Sequence, residues 1–157
     1  MPDKSDEQTI LVPVDFSSFS EAAVLKACEL ASCMDIPMVI LHVVHDPSEM
    51  PGYYSIIAKE KNLVRIEDVA QEMFDQFMET MINAHPELDC LAKAESMLVV
   101  GVPVGRIIEV AEMVNASMIV MGSHGRTGLK HVMLGSKAEQ VVRHSPVSVT
   151  IIKNQQS

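Results

Sequence analysis

Short runs of apolar residues recur along the chain, and segments with helical spacing separate them. The apolar runs cover residues 9–14, 38–44, 96–100, 117–121 and 147–152. Each has the length of one β-strand, and the middle three are almost continuously apolar, as is typical of strands that are covered on both faces. The pattern therefore predicts five short strands in a buried sheet.

The segments between these runs predict four helices. The capping-box sequence Ser18-x-x-Glu21 predicts the start of the first helix, and apolar residues recur at helical spacing over 63–81 and 104–114. The fourth helix is predicted over 136–143. This alternation predicts a single-domain, Rossmann-like α/β fold in which four helices sandwich a parallel five-stranded sheet. Such sheets bind ligands at the carboxyl ends of their strands.

One long stretch, residues 45–62, shows neither periodicity. It contains Pro47, Pro51 and Gly52, which favour turns and loops. A loop of this length is uncommon without a role. Two interpretations stay open: a mobile lid or partner contact, and a variable surface excursion.

A glycine-rich stretch follows the fourth apolar run and leads into the fourth predicted helix. It begins Gly122-Ser-His-Gly125-Arg-Thr-Gly128 and ends at Gly135-Ser136. Glycines let backbone N–H groups turn toward an anion, and a helix N-terminus adds a partial positive charge. The arrangement predicts a phosphate cradle, and hence a nucleotide site, with Ser136 as the N-cap of the helix. The alternative is an ordinary glycine-rich loop between a strand and a helix.

The chain is acidic, but the neighbourhood of the glycine-rich stretch is not. The 157 residues carry a formal net charge of −9, which argues against nucleic acid or an anionic membrane surface as a partner. Around the stretch, one acidic residue, Glu139, accompanies four basic ones, Arg126, Lys130, Lys137 and Arg143. This local balance favours an anion site over a merely solvated helix face.

The cysteines and histidines do not predict a metal site. Cys28, Cys33 and Cys90 lack metal-ligand spacing, and the pair His42 and His45 lacks a third ligand. An odd number of cysteines without a secretory signal sequence predicts a reducing, cytoplasmic location. No apolar run has the length needed to span a bilayer, so membrane insertion is not expected.

The spacing Gly122-x-x-Gly125, nine residues, then Gly135-Ser136 resembles the signature of the ATP-binding branch of the universal stress protein family. Other blocks resemble the strands of that family and their exits: Ile10-Leu-Val-Pro-Val-Asp15, Leu41-His-Val43, Val102-Pro103-x-Gly105 and Ser145-Pro146-Val147. We therefore expect a universal stress protein domain over 9–153, with a disordered lead over 1–8 and a tail over 154–157. The resemblance implies the adenine nucleotide alpha hydrolase-like arrangement with strand order 3-2-1-4-5. It also implies a homodimer through the last strand, Val147 to Ile152.

The same resemblance implies an ATP site, with or without Mg or Mn. In that site the glycine-rich stretch and the helix start contact the triphosphate, Asp15 contacts ribose or adenine, and strand residues surround the adenine. The site residues are Pro13, Val14, Asp15, Val43, Met121, Gly122, Ser123, His124, Gly125, Arg126, Gly135, Ser136 and Lys137.

Alternatives stay open for three of these side chains. Asp15 either accepts hydrogen bonds from the nucleoside or is a turn residue that bonds to nearby backbone. Arg126 either pairs with phosphate or is a solvated loop arginine. His124 either contacts phosphate, moves a proton or is solvated.

The function implied is that of an ATP-binding, nucleotide-dependent regulatory module of a stress response, whose bound state a protein partner reads. The alternative is a slow ATPase or autophosphorylating enzyme of the same fold. Binding is favoured because the pattern G-x-x-x-x-G-K-[ST] is absent. Adenylate-forming relatives of the fold carry a phosphate loop near the first strand, whereas Asp15-Phe-Ser-Ser-Phe-Ser contains no glycine.

Overall fold

The computed structural model describes residues 6–45, 52–61, 65–125 and 134–153. Its five strands form one parallel sheet in the order β3-β2-β1-β4-β5. The strands are β1 (Thr9–Pro13), β2 (Met38–Val44), β3 (Glu95–Val100), β4 (Ala116–Gly122) and β5 (Ser148–Ile152). The predicted sheet and its strand order are confirmed, and every strand ends within one residue of its predicted bounds.

The central strands are buried on both faces. In β1, Ile10, Leu11 and Val12 are all fully buried, although side chains alternate between the two faces of a strand. The edge strands β3 and β5 are partly exposed. The near-continuous apolar runs therefore reflect helices packed on both sides of the sheet.

The described residues form six helices, two more than the sequence predicts. They are α1 (Ser18–Met34), α2 (Gly52–Lys61), α3 (Ile66–Ala84), α4 (Asp89–Lys93), α5 (Pro103–Met113) and α6 (Ser136–His144). Within this described part of the chain, no helix combines the length and the apolar character that crossing a membrane requires.

The prediction of an irregular stretch over 45–62 is wrong where α2 lies. Pro47, Pro51 and Gly52 dominate the sequence signal, although the following Ala58-Lys-Glu-Lys61 are good helix formers. The other added helix, α4, is too short for helical periodicity to show. Residues 46–51 and 62 lie outside the described residues, as do most of the predicted lead and the predicted tail over 154–157.

Two hydrophobic clusters cover the two faces of the sheet. On one face, α1, α3 and α4 contribute Val24, Phe74 and Leu91. On the other face, α5 and α6 contribute Ile107 and Val141. The predicted sandwich is confirmed. The chain leaves the carboxyl end of β1 toward α1, and it leaves the neighbouring carboxyl end of β4 toward α6.

Candidate functional site

Two predicted parts of the nucleotide site meet at the carboxyl ends of β1 and β4, which are parallel neighbours. An ideal Cβ atom on Gly125 would lie 2.6 Å from Asp15 Oδ2. The backbone of the glycine-rich stretch therefore approaches the carboxylate more closely than any larger residue would allow. The structure thus brings together Asp15 and the near side of the predicted phosphate cradle.

The N-terminus of α1 holds Asp15 in place. Asp15 Oδ1 accepts hydrogen bonds from the Ser17 N–H at 3.1 Å and from Ser20 Oγ at 2.7 Å. The Asp15 N–H in turn donates to Ser20 Oγ at 2.8 Å. The positive partial charge of a helix N-terminus also favours a carboxylate there. The turn interpretation of Asp15 is therefore confirmed for Oδ1, while Oδ2 lies toward Gly125.

The start of α1 differs from the predicted capping box. Its N-cap is Ser17, whose Oγ accepts a hydrogen bond from the Ser20 N–H at 3.3 Å, and Ser18 is already the first helical residue. The chain reverses between strand and helix through Phe16, which has a φ of +67°, a value uncommon for a bulky residue. Ser20 consequently serves both the helix cap and Asp15.

A backbone hydrogen bond joins the two ends of the glycine-rich stretch. The Gly135 N–H donates to the Ser123 carbonyl at 2.7 Å, and a Cβ atom on Gly135 would lie 3.0 Å from that oxygen. A Cβ atom on Gly122 would lie 2.7 Å from Phe19 Cβ on α1. Close approach of neighbouring atoms therefore accounts for both glycines.

The far side of the stretch is the N-terminus of α6. Its N-cap is Gly135, with an extended φ of −65° and ψ of 153°, so the prediction that Ser136 caps the helix is wrong. A glycine fits there because the chain passes against Ser123. Ser136 and Lys137 instead lie in the first turn with exposed side chains. The N–H groups of a first helical turn have no intrahelical acceptor and, with Lys137, favour an anion.

The basic residues around the stretch do not all lie near α6's first turn. Arg143 lies in the last turn of α6 and pairs with Glu139 at 2.9 Å. Arg126 and Lys130 lie outside the described residues. Among the described basic residues, the anion-site interpretation therefore rests on Lys137.

The remaining residues of β4 and its exit are held by local contacts. Ser123 is buried, and its Oγ lies 3.0 Å from His124 Nδ1. The His124 ring lies 5.3 Å from the Phe19 ring, so His124 is positioned against α1 rather than merely solvated. The Met121 side chain is buried in the cluster of α5 and α6, which leaves its backbone for any ligand contact.

The residues predicted to surround adenine lie on two faces of the sheet. Val14 packs in the cluster of α1 and α3, whereas Val43 packs against the cluster of α5 and α6. Pro13 shares the face of Val43, because side chains alternate along a strand. The Val14 side chain faces away from Val43, so only the Val14 backbone is on hand for an adenine contact. The Val14 N–H donates to the Leu41 carbonyl at 2.8 Å. Apolar contact with adenine stays a prediction, which this geometry limits to Pro13 and Val43.

Sequence reasoning missed a buried polar pair that ties α2 to this edge of the sheet. His42 Nδ1 lies 2.8 Å from the Val14 carbonyl oxygen, and His42 Nε2 bonds with Tyr54 Oη. Since a carbonyl only accepts, Nδ1 carries a proton, and in a neutral imidazole Nε2 then accepts from the Tyr54 hydroxyl. The available signal was one histidine in an apolar strand, because a buried polar group requires a partner. In the part of the chain described here, no three metal-ligating side chains form a group.

Comparisons with known proteins agree with this architecture. The model of the universal stress protein family matches residues 7–153. A universal stress protein of Methanocaldococcus jannaschii is 30% identical over 155 residues, which cover 94% of this chain and 96% of that protein.

Solved structures of similar proteins share the fold. Universal stress protein UspA from Lactobacillus plantarum has a TM-score of 0.73 and 25% identity, over 92% of this chain and 97% of that one. A universal stress protein solved in complex with cAMP has a TM-score of 0.58 and 25% identity, over 94% and 97%. Since the family match extends over almost the whole sequence, the chain belongs to the universal stress protein family.

Proposed function

We propose that this protein binds ATP at the carboxyl edge of β1 and β4 and acts as a nucleotide-dependent regulatory module in a stress response. The observation that carries the proposal is the approach of Gly125 to Asp15, whose Oδ2 lies 2.6 Å from an ideal Cβ position on the glycine. A carboxylate, which accepts hydrogen bonds from sugar hydroxyls, thus lies beside a backbone segment that suits phosphate. A nucleotide carries a sugar and a phosphate next to each other.

The phosphates are assigned to the backbone of Ser123–Gly125 and the first turn of α6. Backbone N–H groups of His124, Gly125 and the first turn of α6 donate to phosphate oxygens, whereas the Ser123 N–H already donates to the Ile152 carbonyl at 2.9 Å. The helix N-terminus adds its partial charge. Lys137 supplies a positive charge at that turn, and Arg126 supplies a forked donor. Mg or Mn would arrive with the triphosphate, whose oxygens are suitable ligands for such ions.

The nucleoside is assigned to Asp15 and the ends of β1 and β2. Two hydrogen bonds from the start of α1 fix the position of Asp15 Oδ1. Asp15 Oδ2 therefore accepts from a ribose hydroxyl in one orientation. Pro13 and Val43 offer apolar contact to the adenine. The similar protein solved with cAMP binds an adenine nucleotide, which supports this choice of base.

A second copy of the chain is assigned to the outer edge of β5. Among the described strands, β5 pairs with β4 alone, and an unpaired strand edge is a ready template for another chain. Nucleotide binding next to Ser123, whose N–H donates to the Ile152 carbonyl at 2.9 Å, would alter the surface at the end of β5. A protein partner that recognises this surface would then read the bound state.

Asp15→Asn tests the nucleoside assignment while leaving an oxygen acceptor for the hydrogen bonds that hold residue 15 at the start of α1. Asparagine keeps an oxygen for Ser17 and Ser20, while its amide nitrogen replaces the acceptor that faces Gly125. We expect ATP binding to weaken by about 1–3 kcal/mol, with inorganic triphosphate binding unchanged, as measured by calorimetry. The matched control is Asp75→Asn, at an exposed carboxylate on α3 that accepts a hydrogen bond from Gln71 Nε2. Equal weakening of ATP and triphosphate by Asp15→Asn would refute the role of Asp15.

A further inference from the structure

The peptide group that leads into Asp15 is held at both of its polar atoms by side chains from other elements. Its oxygen, the Val14 carbonyl oxygen, lies 2.8 Å from His42 Nδ1 on β2. Its N–H, that of Asp15, donates to Ser20 Oγ on α1 at 2.8 Å. A rotation of this peptide therefore breaks a hydrogen bond to β2 or to α1. His42 holds the backbone on the side of the sheet, as Ser20 does on the side of the helix.

His42 also packs against the residue that follows Asp15. The ring centroids of Phe16 and His42 lie 4.2 Å apart, and the two rings are inclined by 30°. Both side chains are buried. The φ of Phe16 is +67°, a conformation that is costly for a bulky residue and persists only where the surrounding structure holds it. His42 thus contacts the backbone before Asp15 and the side chain after it.

The His42 ring is in turn oriented by α2, where its Nε2 bonds with Tyr54 Oη. Of the α2 side chains that the structure describes, only Tyr54 is buried, and Ile57 is partly buried against the same cluster. Lys61 pairs with Glu72 on α3 at 3.5 Å, but an ion pair at the surface contributes little. A helix of ten residues is marginal in water by itself. The docked position of α2 therefore depends on a few tertiary contacts, of which that of Tyr54 is the most deeply buried.

We propose that His42 is a positioning residue for Asp15 and that Tyr54 makes this positioning depend on α2, so that docking of α2 against the sheet raises the affinity for ATP. The proposal rests on the nucleotide site proposed above and adds the regulation of that site by an element of the same chain. Docked α2 keeps Nε2 bonded while Nδ1 faces the Val14 carbonyl. Undocking of α2 removes one partner of the His42 ring, and the hold of β2 on the peptide before Asp15 weakens with it.

The coupling acts in both directions, because the effect of one binding equilibrium on another is reciprocal. Since docked α2 favours ATP, bound ATP favours docked α2 by the same factor. The exchange of α2 amide hydrogens with solvent therefore reports whether the nucleotide site is occupied.

Two variants of the full-length chain test the proposal by calorimetry, with ATP and inorganic triphosphate titrated separately. Tyr54→Phe keeps the ring and removes only the hydroxyl. We expect the Kd for ATP to rise about fivefold or more, with triphosphate binding unchanged, because Asp15 contacts the nucleoside. The double variant His42→Leu/Tyr54→Phe removes both side chains of the polar pair, so that no buried hydroxyl is left without its histidine. We expect it to remain folded and to lose at least as much ATP affinity.

Leu91→Val is the control for a loss of stability alone. Leu91 is buried in α4, which directly precedes the amino end of β3. It therefore lies at the end of the sheet opposite to Asp15. We expect a lower unfolding temperature with unchanged affinity for ATP.

Hydrogen exchange measures the same coupling at α2. Saturating ATP should slow exchange of the amide hydrogens over residues 54–61 in the wild-type protein and leave it unchanged in the double variant. Without nucleotide, Tyr54→Phe should speed exchange over the same residues, because the undocked state of α2 is then more populated.

Three results would overturn the proposal while ATP binding itself stands. The first is wild-type ATP affinity in Tyr54→Phe and in the double variant. The second is an equal loss of ATP and triphosphate affinity in these variants, or the same loss in Leu91→Val, since either would indicate general damage to the fold. The third is unchanged exchange of α2 when wild-type protein binds ATP. A wild-type protein that does not bind ATP would instead refute the proposed function, and this inference with it, even if Tyr54→Phe speeds the exchange of α2.

Discussion

Replacing Gly125 by alanine tests the contact between the glycine-rich stretch and Asp15. The added methyl group would lie 2.6 Å from Asp15 Oδ2, whereas real contacts of this kind stay beyond 3.0 Å. The carboxylate does not rotate freely, because Ser17 and Ser20 hold Oδ1 at 3.1 and 2.7 Å. Either the loop or the carboxylate must therefore shift, and both shifts separate the ribose acceptor from the phosphate donors.

The expected effect follows from the interaction that is lost. A hydrogen bond to a charged group contributes about 1.5–3 kcal/mol, so the Kd for ATP should rise roughly 10- to 150-fold. Calorimetry on nucleotide-free protein measures the Kd, and circular dichroism checks the fold. Because Asp15 and Gly125 are both only half-buried, we expect Gly125→Ala to remain folded.

Gly105→Ala is the matched control for this substitution. Gly105 is exposed on α5, and an added Cβ atom there meets no atom within 4 Å. We expect unchanged ATP affinity and equal or slightly higher thermal stability, because alanine favours a helix over glycine. Unaltered ATP affinity in Gly125→Ala, or the same loss in both variants, would refute the reasoning.

Three further substitutions test the surroundings of the site. Tyr54→Phe removes the hydroxyl donor from buried His42, so the free energy of unfolding in urea should fall by about 1–3 kcal/mol; wild-type stability would show that the link is dispensable. Ser20→Ala removes two hydrogen bonds of Asp15 and should weaken ATP several-fold more than inorganic triphosphate in calorimetry, whereas equal weakening would contradict a positioning role. Thr150→Arg on β5 should shift the sedimentation profile from dimer to monomer, and an unaltered profile would rule out a β5 interface.

The sheet is predictable from sequence because helices on both faces force near-continuous apolar runs. β2 shows this most clearly, since its observed bounds, Met38–Val44, coincide with the predicted run. Apolar runs do not specify which strands are neighbours, so the strand order comes from the resemblance to a family. The glycine positions of the candidate site are likewise visible in sequence, because their spacing is itself the signal.

Helix starts are less predictable, because the surrounding structure determines which of two neighbouring residues is the N-cap. The N-cap of α1 is Ser17 rather than Ser18, since the turn through Phe16 already fixes the preceding backbone. The N-cap of α6 is Gly135 rather than Ser136, at a point where the chain passes close to the Ser123 carbonyl. Neither contact is visible in the local sequence.

Long-range side-chain pairs are the part of the structure that the sequence does not predict. The contact of His42 with Tyr54 joins β2 to α2, two segments that only packing brings together. The residues predicted to surround adenine were also not separated by sequence reasoning. Val14 and Val43 lie on opposite faces of the sheet.

The claim that this protein binds ATP is tested most directly by titrating ATP and Mg into protein stripped of nucleotide with apyrase. Calorimetry measures the binding, and mass spectrometry of the recovered ligand measures hydrolysis. We expect saturable binding at one site per chain, with the ATP recovered largely intact. Binding with steady release of ADP would favour the enzyme alternative. A complete absence of ATP binding would mean that the glycine-rich stretch is structural and would contradict the claim.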